Sequence, residues 1–400
     1  MMTRRKMIET TAVGMGAVAM GAMPLAACAS QPEAETVSKA GARPEPASAN
    51  DGSSLFEDAF ASDAASKAQS ASAPVPSIRM LDMHCDTVDE LCMHGLGEYR
   101  DGRGAGTLVS NNLQIAADRM GDVAWAQCYA VWTPDECPDI SYASWYRHGA
   151  AYFKAQMAAY PDVFTQVFDW ADVDGILDEG KVAAILTVES ARILEEGLDI
   201  VDEFVSDGVK IASISWNGVN SMASGFKSDA GLSDYGRQAL AALESAGIVF
   251  DVSHLNDAGF WDVEAAATKP YIATHSNSRA MCDTPRNLTD DQFRAIVARG
   301  GLVGLNYYQA FIRANWMEGD ADTGFDETIA HVEHWLDIEG GQDVIALGGD
   351  RDGSDVAPWL AGCETQAEFY RLTVERLGQE LADKLFYTNA RDFFNRYVKA

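Results

Sequence analysis

Residues able to hold a divalent cation recur at the ends of apolar runs in this chain. The first case is Met80-Leu81-Asp82-Met83-His84-Cys85-Asp86-Thr87, where a run from Ile78 to Met83 feeds into His84-Cys85-Asp86. Alternate side chains of a strand share a face, so His84 and Asp86 are expected to project together and Cys85 to turn away. An imidazole beside a carboxylate makes half of a divalent-metal site. Alone, such a triplet is weak evidence. Later runs end similarly, in Val188-Glu189, Asp251-Val252-Ser253-His254, Thr274-His275 and Gly348-Gly349-Asp350.

Taken together, His84, Asp86, Glu189, His254 and His275 exceed what one tetrahedral zinc needs. They suit two metal ions about 3.5–4 Å apart that share a carboxylate and a water. A water in that position loses a proton readily and becomes a nucleophile near neutral pH. Asp350 is expected to accept that proton and deliver it to the leaving amine. The plainer role for Asp350 is to cap a loop.

These residues meet only if strand ends converge. Strand-like runs are expected at 78–83, 123–131, 182–188, 211–216, 248–253, 271–274, 302–307 and 344–347. Helical patterns lie between them, such as Trp145–Ala159, Ser233–Ala246, Asp290–Ala298 and Asp326–Leu336. The alternation predicts an α/β fold, a (β/α)8 TIM-like barrel with insertions, whose chemistry sits at the C-terminal ends of the strands. Continuously apolar strands suit a parallel sheet covered on both faces. An open doubly wound sheet would look similar, but no glycine-rich dinucleotide loop follows the first strand.

In collinear order, DMHCD, VES, DVSH, ATHS, TPRN and LGGDRDG resemble the membrane (renal) dipeptidase family, a zinc-dependent branch of the amidohydrolase superfamily. The resemblance runs from Ile78 to the C-terminus. It implies a (β/α)8 barrel with two Zn2+ ions, one held by His84 and Asp86, the other by His254 and His275, with Glu189 between them. It also implies that Asp350 is the catalytic acid and that Arg286 and Tyr308 line the substrate pocket. Arg286 is the strong candidate near the sixth strand for holding a free carboxylate, through paired hydrogen bonds. The implied activity is hydrolysis of dipeptides to amino acids by a metal-bridging hydroxide, with a D-residue tolerated at the C-terminal position. A homodimer is compatible with the resemblance. Three positions depart from the family pattern. Trp216 stands where a histidine often follows the fourth strand. Arg351 replaces an aromatic residue between Asp350 and Asp352, which bears on pocket charge and on which aspartate is the acid. Val188-Glu189-Ser190-Ala191 lacks the glycines that often follow the glutamate.

Two rivals are set against this reading. One keeps the metals and changes the substrate to N-acyl amino acids or cyclic amides. The other is a tethered binding lipoprotein without catalysis, which would have no need of Asp350.

The N-terminus reads as a targeting segment. Thr3-Arg4-Arg5-Lys6-Met7 is basic with a twin arginine, and 12–27 is apolar and small. That run is too short for a comfortable membrane span. Leu25-Ala26-Ala27-Cys28 resembles a bacterial lipobox, with Cys28 as the lipidated residue. Residues 1–27 are therefore expected to be a lipoprotein signal peptide of the Tat type, and 28–77 a flexible tether rich in Ala, Ser, Pro and Glu. Residues 78–400 are expected, from the resemblance, to form the metal-dependent dipeptidase domain. The location implied is the extracytoplasmic face of a bacterial membrane. A net charge of −30 argues against nucleic-acid partners, which need a basic face. The seven cysteines are too few for a disulfide scaffold in 400 residues. Cys85 and Cys92 are expected to be structural, while Cys128 with Cys137 and Cys282 with Cys363 could pair in an oxidising compartment.

Overall fold

The computed structural model describes residues 78–93, 104–137 and 140–397. The signal peptide, Cys28 and the tether lie outside the described residues. The strands are β1 (Ile78–Cys85), β2 (Val123–Trp132), β3 (Phe164–Gln166), β4 (Val182–Glu189), β5 (Val209–Ala212), β6 (Val249–Phe250), β7 (Val303–Leu305) and β8 (Ile345–Leu347). They pair in the order β6-β5-β4-β2-β1-β8-β7, with β3 attached beside β4 outside that path. Every ladder is parallel. The 271–274 segment closes the ring through parallel bridges from Ile272 to Asp251 and from Ala273 to Val303. Each run expected from the sequence is a stave of this (β/α)8 barrel; β3 alone was not expected.

One apolar cluster draws from successive staves, including Met83, Ala126, Ile185, Ile211, Val249 and Ala346, so it fills the barrel interior. Several of these are small, as a narrow barrel requires. The same cluster continues into Trp170, Phe394 and Tyr397, and Trp170 stacks on Phe394 with ring centroids 3.7 Å apart. Tyr397 also donates to the Ile248 carbonyl, just before β6. The Asn389–Tyr397 helix thus seals the end where strands begin, and the opposite end stays available for chemistry. A second cluster joins the outer strand residues, such as Met80, Trp125, Leu186 and Phe250, to the surrounding helices.

Helix ends follow local chemistry. Thr289 caps the Asp290–Arg299 helix with a reciprocal pair: its hydroxyl accepts from Gln292 N, and Gln292 Oε1 accepts from Thr289 N. Neither suggested disulfide forms, because Cys128, Cys282 and Cys363 are buried free thiols. Burial pushes the Cys128 thiol well above its ordinary pKa and that of Cys282 to about 11, so neither is primed to react.

Candidate metal centre

The strand ends bring the five ligand-type residues together. Glu189 ends β4, level with Trp132 of β2. Its Oε1 lies 2.8 Å from His254 Nε2 and 4.0 Å from His275 Nε2. Its Oε2 lies 3.5 Å from His84 Nε2. His84 Nε2 is 3.6 Å from Asp86 Oδ2 and 3.9 Å from Asp350 Oδ1. The rings of His84 and His275 stack at 3.9 Å. All six side chains are buried. Glu189 therefore reaches one histidine pair with one oxygen and His84 with the other.

Backbone geometry at these ends departs from regular strand. The β1 register shifts between Asp82 and Cys85. Leu81 and Met83 face the interior and Cys85 the outer layer, while His84 turns into the mouth. His254 (φ 74°), Asp350 (φ 53°) and Ser190 (φ 59°), beside Glu189, adopt left-handed conformations. Such backbone is costly for non-glycine residues and is found where a site holds it in place. Ser190 therefore makes the turn after the glutamate without a glycine, with its N–H donated to Ser213 Oγ at 2.9 Å. Gly353 allows a close approach: a Cβ there would lie 1.9 Å from Asp86 Oδ2 and 2.8 Å from Asp350 Oδ1.

The donor set fits divalent cations. His84 Nε2 is buried without a hydrogen-bond partner among the described residues. The 3.5–3.9 Å separations around it are too long for hydrogen bonds. Two ligands each about 2.0–2.1 Å from one tetrahedral ion stand roughly 3.4 Å apart, close to these values. His254 Nε2 and His275 Nε2 face each other at 2.9 Å. Burial opposes a charge on His84, yet Asp86 and Glu189 outweigh it and hold its pKa well above the ordinary value. Burial, reinforced by the neighbouring His84, His254 and Arg286 charges, holds His275 well below it. The carboxylates thus call for positive charge that the buried His275 ring does not supply as a proton. Divalent ions meet that demand.

Asp350 Oδ2 accepts from Asn306 Nδ2 at 3.2 Å, and its amide donates to the His84 carbonyl at 3.1 Å. Arg286 is buried, with Nε and Nη2 lacking hydrogen-bond partners among the described residues. It shares a cleft with His254 and Ser276. Burial lowers its pKa to about 10, against the pull of Asp350, Glu189 and Asp251, so it stays charged at neutral pH. Phe311 packs on both Arg286 and Tyr308, which places these two residues on one wall.

Arg351 does not enter the pocket. It is fully buried on the far side of the barrel wall, paired with Asp82 at 2.5 Å and stacked 4.6 Å from the Tyr307 ring. Pocket charge is therefore not changed by it. Asp352 faces Thr87 Oγ1, at 2.6 Å, and the Gln114 amide, at 2.7 Å, so Asp350 is the aspartate beside the cluster. Trp216 is buried edge-on to Trp132 and 6.2 Å from the His254 ring. Four residues near the ligands were not expected from the sequence: Asn217, Asp251, Thr274 and Asn306. They are short polar residues beside motif positions, and no spacing rule separates them from ordinary loop polars.

A closed parallel barrel with this donor cluster at its mouth defines a metal-dependent hydrolase. A model of the membrane dipeptidase family (peptidase family M19) matches residues 70–390, and the chain belongs to that family. It is accordingly a metallo-dipeptidase. Among solved structures, dipeptidase AC, a metallopeptidase, superposes with a TM-score of 0.69 at 25% identity, over 81% of this chain and 99% of that one. A metallopeptidase from Rhodobacter sphaeroides, bound to a phosphinate mimic of the dipeptide L-Ala-D-Ala, has a TM-score of 0.69 at 24% identity, over 80% and 99%. The uncharacterized protein in the pqqA 5′ region of Klebsiella pneumoniae is 36% identical over 46% of this chain and 70% of its own length.

Proposed function

We propose that the chain is a zinc dipeptidase that cleaves the bond one residue from a free C-terminal carboxylate, on the outer side of a bacterial membrane. In this reading His84 and Asp86 hold one ion, His254 and His275 the other, and Glu189 reaches both. Bound there, the ions supply Lewis acidity, which polarises a carbonyl and lowers the pKa of water. Asp350 lies beside His84, oriented by Asn306, and moves a proton at its Oδ1 toward the leaving amine. Tyr308 and Phe311 shape the wall on which Arg286 rests.

The observation that carries this reading is Arg286, a buried charged guanidinium with unmet donors beside the cluster. Leaving such donors unmet is expensive, and a carboxylate satisfies them as a planar pair. A free carboxylate held there confines substrates to dipeptides, because a third residue would move it out of reach. The ligand of the Rhodobacter protein favours including dipeptides with a C-terminal D-residue.

The test compares a dipeptide, its C-terminal amide and a tripeptide at equal zinc. The dipeptide should turn over, and the others should fail. Equal turnover of all three would favour a broader amidohydrolase. Arg286→Lys should weaken dipeptide binding by about 1.5–3 kcal/mol, since a point charge does not reproduce the fork.

A further inference from the structure

Two of the cluster's histidines are each held from behind, by different devices. Asp251 directly follows β6, bridges to Ile272 and is buried. Its Oδ1 accepts from the amides of Ser253 and Thr274, both at 2.9 Å. Its Oδ2 accepts from Thr274 Oγ1 at 2.6 Å. That same hydroxyl lies 2.7 Å from His275 Nδ1. Ser253 Oγ accepts the His275 amide proton at 3.2 Å and sits 3.3 Å from Thr274 Oγ1.

The proton count fixes the direction. A carboxylate only accepts, and a threonine hydroxyl has a single proton. With that proton on Asp251, Thr274 turns a lone pair toward His275, so His275 Nδ1 must carry a hydrogen. Its Nε2 is then bare and aimed at Glu189 and His254. The reverse arrangement would set lone pair against lone pair across 2.6 Å, between Thr274 and Asp251. His254 reaches the same state separately, with Nδ1 3.0 Å from Asn217 Oδ1, which also only accepts. Both Nε2 atoms thus present lone pairs 2.9 Å apart, an arrangement that a shared cation relieves.

We propose that Asp251 and Thr274 form a relay that locks His275 as an Nε2 ligand, so that the ion held by His254 and His275 depends on Thr274 while the ion at His84 and Asp86 does not. This rests on the two-ion reading above. Thr274 and Asp251 are positioning residues, since they act through His275 and touch no reacting atom. Partners of this kind typically change metal affinity 10–100-fold when lost.

The test uses the full chain labelled with 15N at histidine. Long-range proton–nitrogen spectra of the metal-free wild type should show His275 protonated at Nδ1; protonation at Nε2 would overturn the relay, without need of any variant. Zinc titration against a competing chelator should then show Thr274→Val losing about 10–100-fold affinity for one ion and leaving the other unchanged. Thr274→Ser, which keeps the hydroxyl, should restore wild-type binding. The relay is overturned if Thr274→Val binds both ions as the wild type does, if Thr274→Ser fails along with it, or if both ions weaken equally. A wild type that binds fewer than two ions would instead overturn the two-ion reading, and it is decided before any variant is compared.

Discussion

At the scale of single residues, the site depends on close approaches that leave little tolerance. Gly353 passes between two carboxylates at distances that no side chain can share. Gly353→Ala should push Asp86 or Asp350 out of place and lower dipeptide turnover at least about tenfold, as small misplacements of catalytic groups do. Normal turnover in that variant would remove the packing account of the loop. Arg351 makes a different prediction. It neutralises Asp82, whose Oδ1 also accepts from the amides of His84 and Gly349 at 3.1 and 2.8 Å. Breaking a buried pair strands the remaining charge, so Arg351→Met should destabilise the fold by about 3–5 kcal/mol in urea unfolding. A loss below about 1 kcal/mol, typical of exposed pairs, would show that the pair is not sealed from water. The sequence placed Arg351 between two aspartates and suggested pocket chemistry. It could not show that Asp350 and Asp352 take left-handed backbone, φ 53° and 67°, while Arg351 between them bridges to Cys85.

At the scale of elements, the strands were legible because parallel barrel strands are covered on both faces and read as apolar runs. The four helices expected from periodicity are present, their ends shifted by a few residues at most. Short helices such as Val173–Asp178 and Val201–Asp207 are not marked by a pattern in the sequence. A helix of a turn or two is too short to show a period. His331 on the Phe325–Leu336 helix links elements by accepting from Ser278 N at 3.2 Å and donating to the Ile312 carbonyl at 3.1 Å. Both bonds use the neutral ring, and burial lowers its pKa to about 4, from the 6.5 of a solvated histidine. Between those values the unfolded chain binds a proton that the fold does not. Stability from this residue is therefore full above about pH 6.5 and lost as pH falls toward 4, with a ceiling of about 3 kcal/mol. The difference in unfolding free energy between wild type and His331→Gln should shrink over that window. A pH-independent difference would contradict the account.

At the scale of the whole molecule, the ligand set was legible because each member ends a strand, and a barrel gathers such ends at one mouth. Asn217, Thr274 and Asp251 were not legible, because their roles arise from contacts between residues 37 and 23 positions apart in the chain. No helix among the described residues is long and apolar enough to cross a membrane. Membrane attachment is proposed from the lipobox-like Leu25-Ala26-Ala27-Cys28, which lies outside the described residues. Cys28→Ala should move the protein from the membrane fraction to the soluble one; an unchanged membrane fraction would end the lipoprotein proposal.

The centre of the account is Glu189 joining two ions, and zinc content measured on purified wild type and Glu189→Gln tests it most directly. The wild type should hold close to two zinc ions per chain, in keeping with a binuclear hydrolase. Glu189→Gln should lose most of that zinc and nearly all dipeptide hydrolysis, since one side chain faces both His84 and His254. A Glu189→Gln protein that keeps its zinc and its full activity would contradict the account.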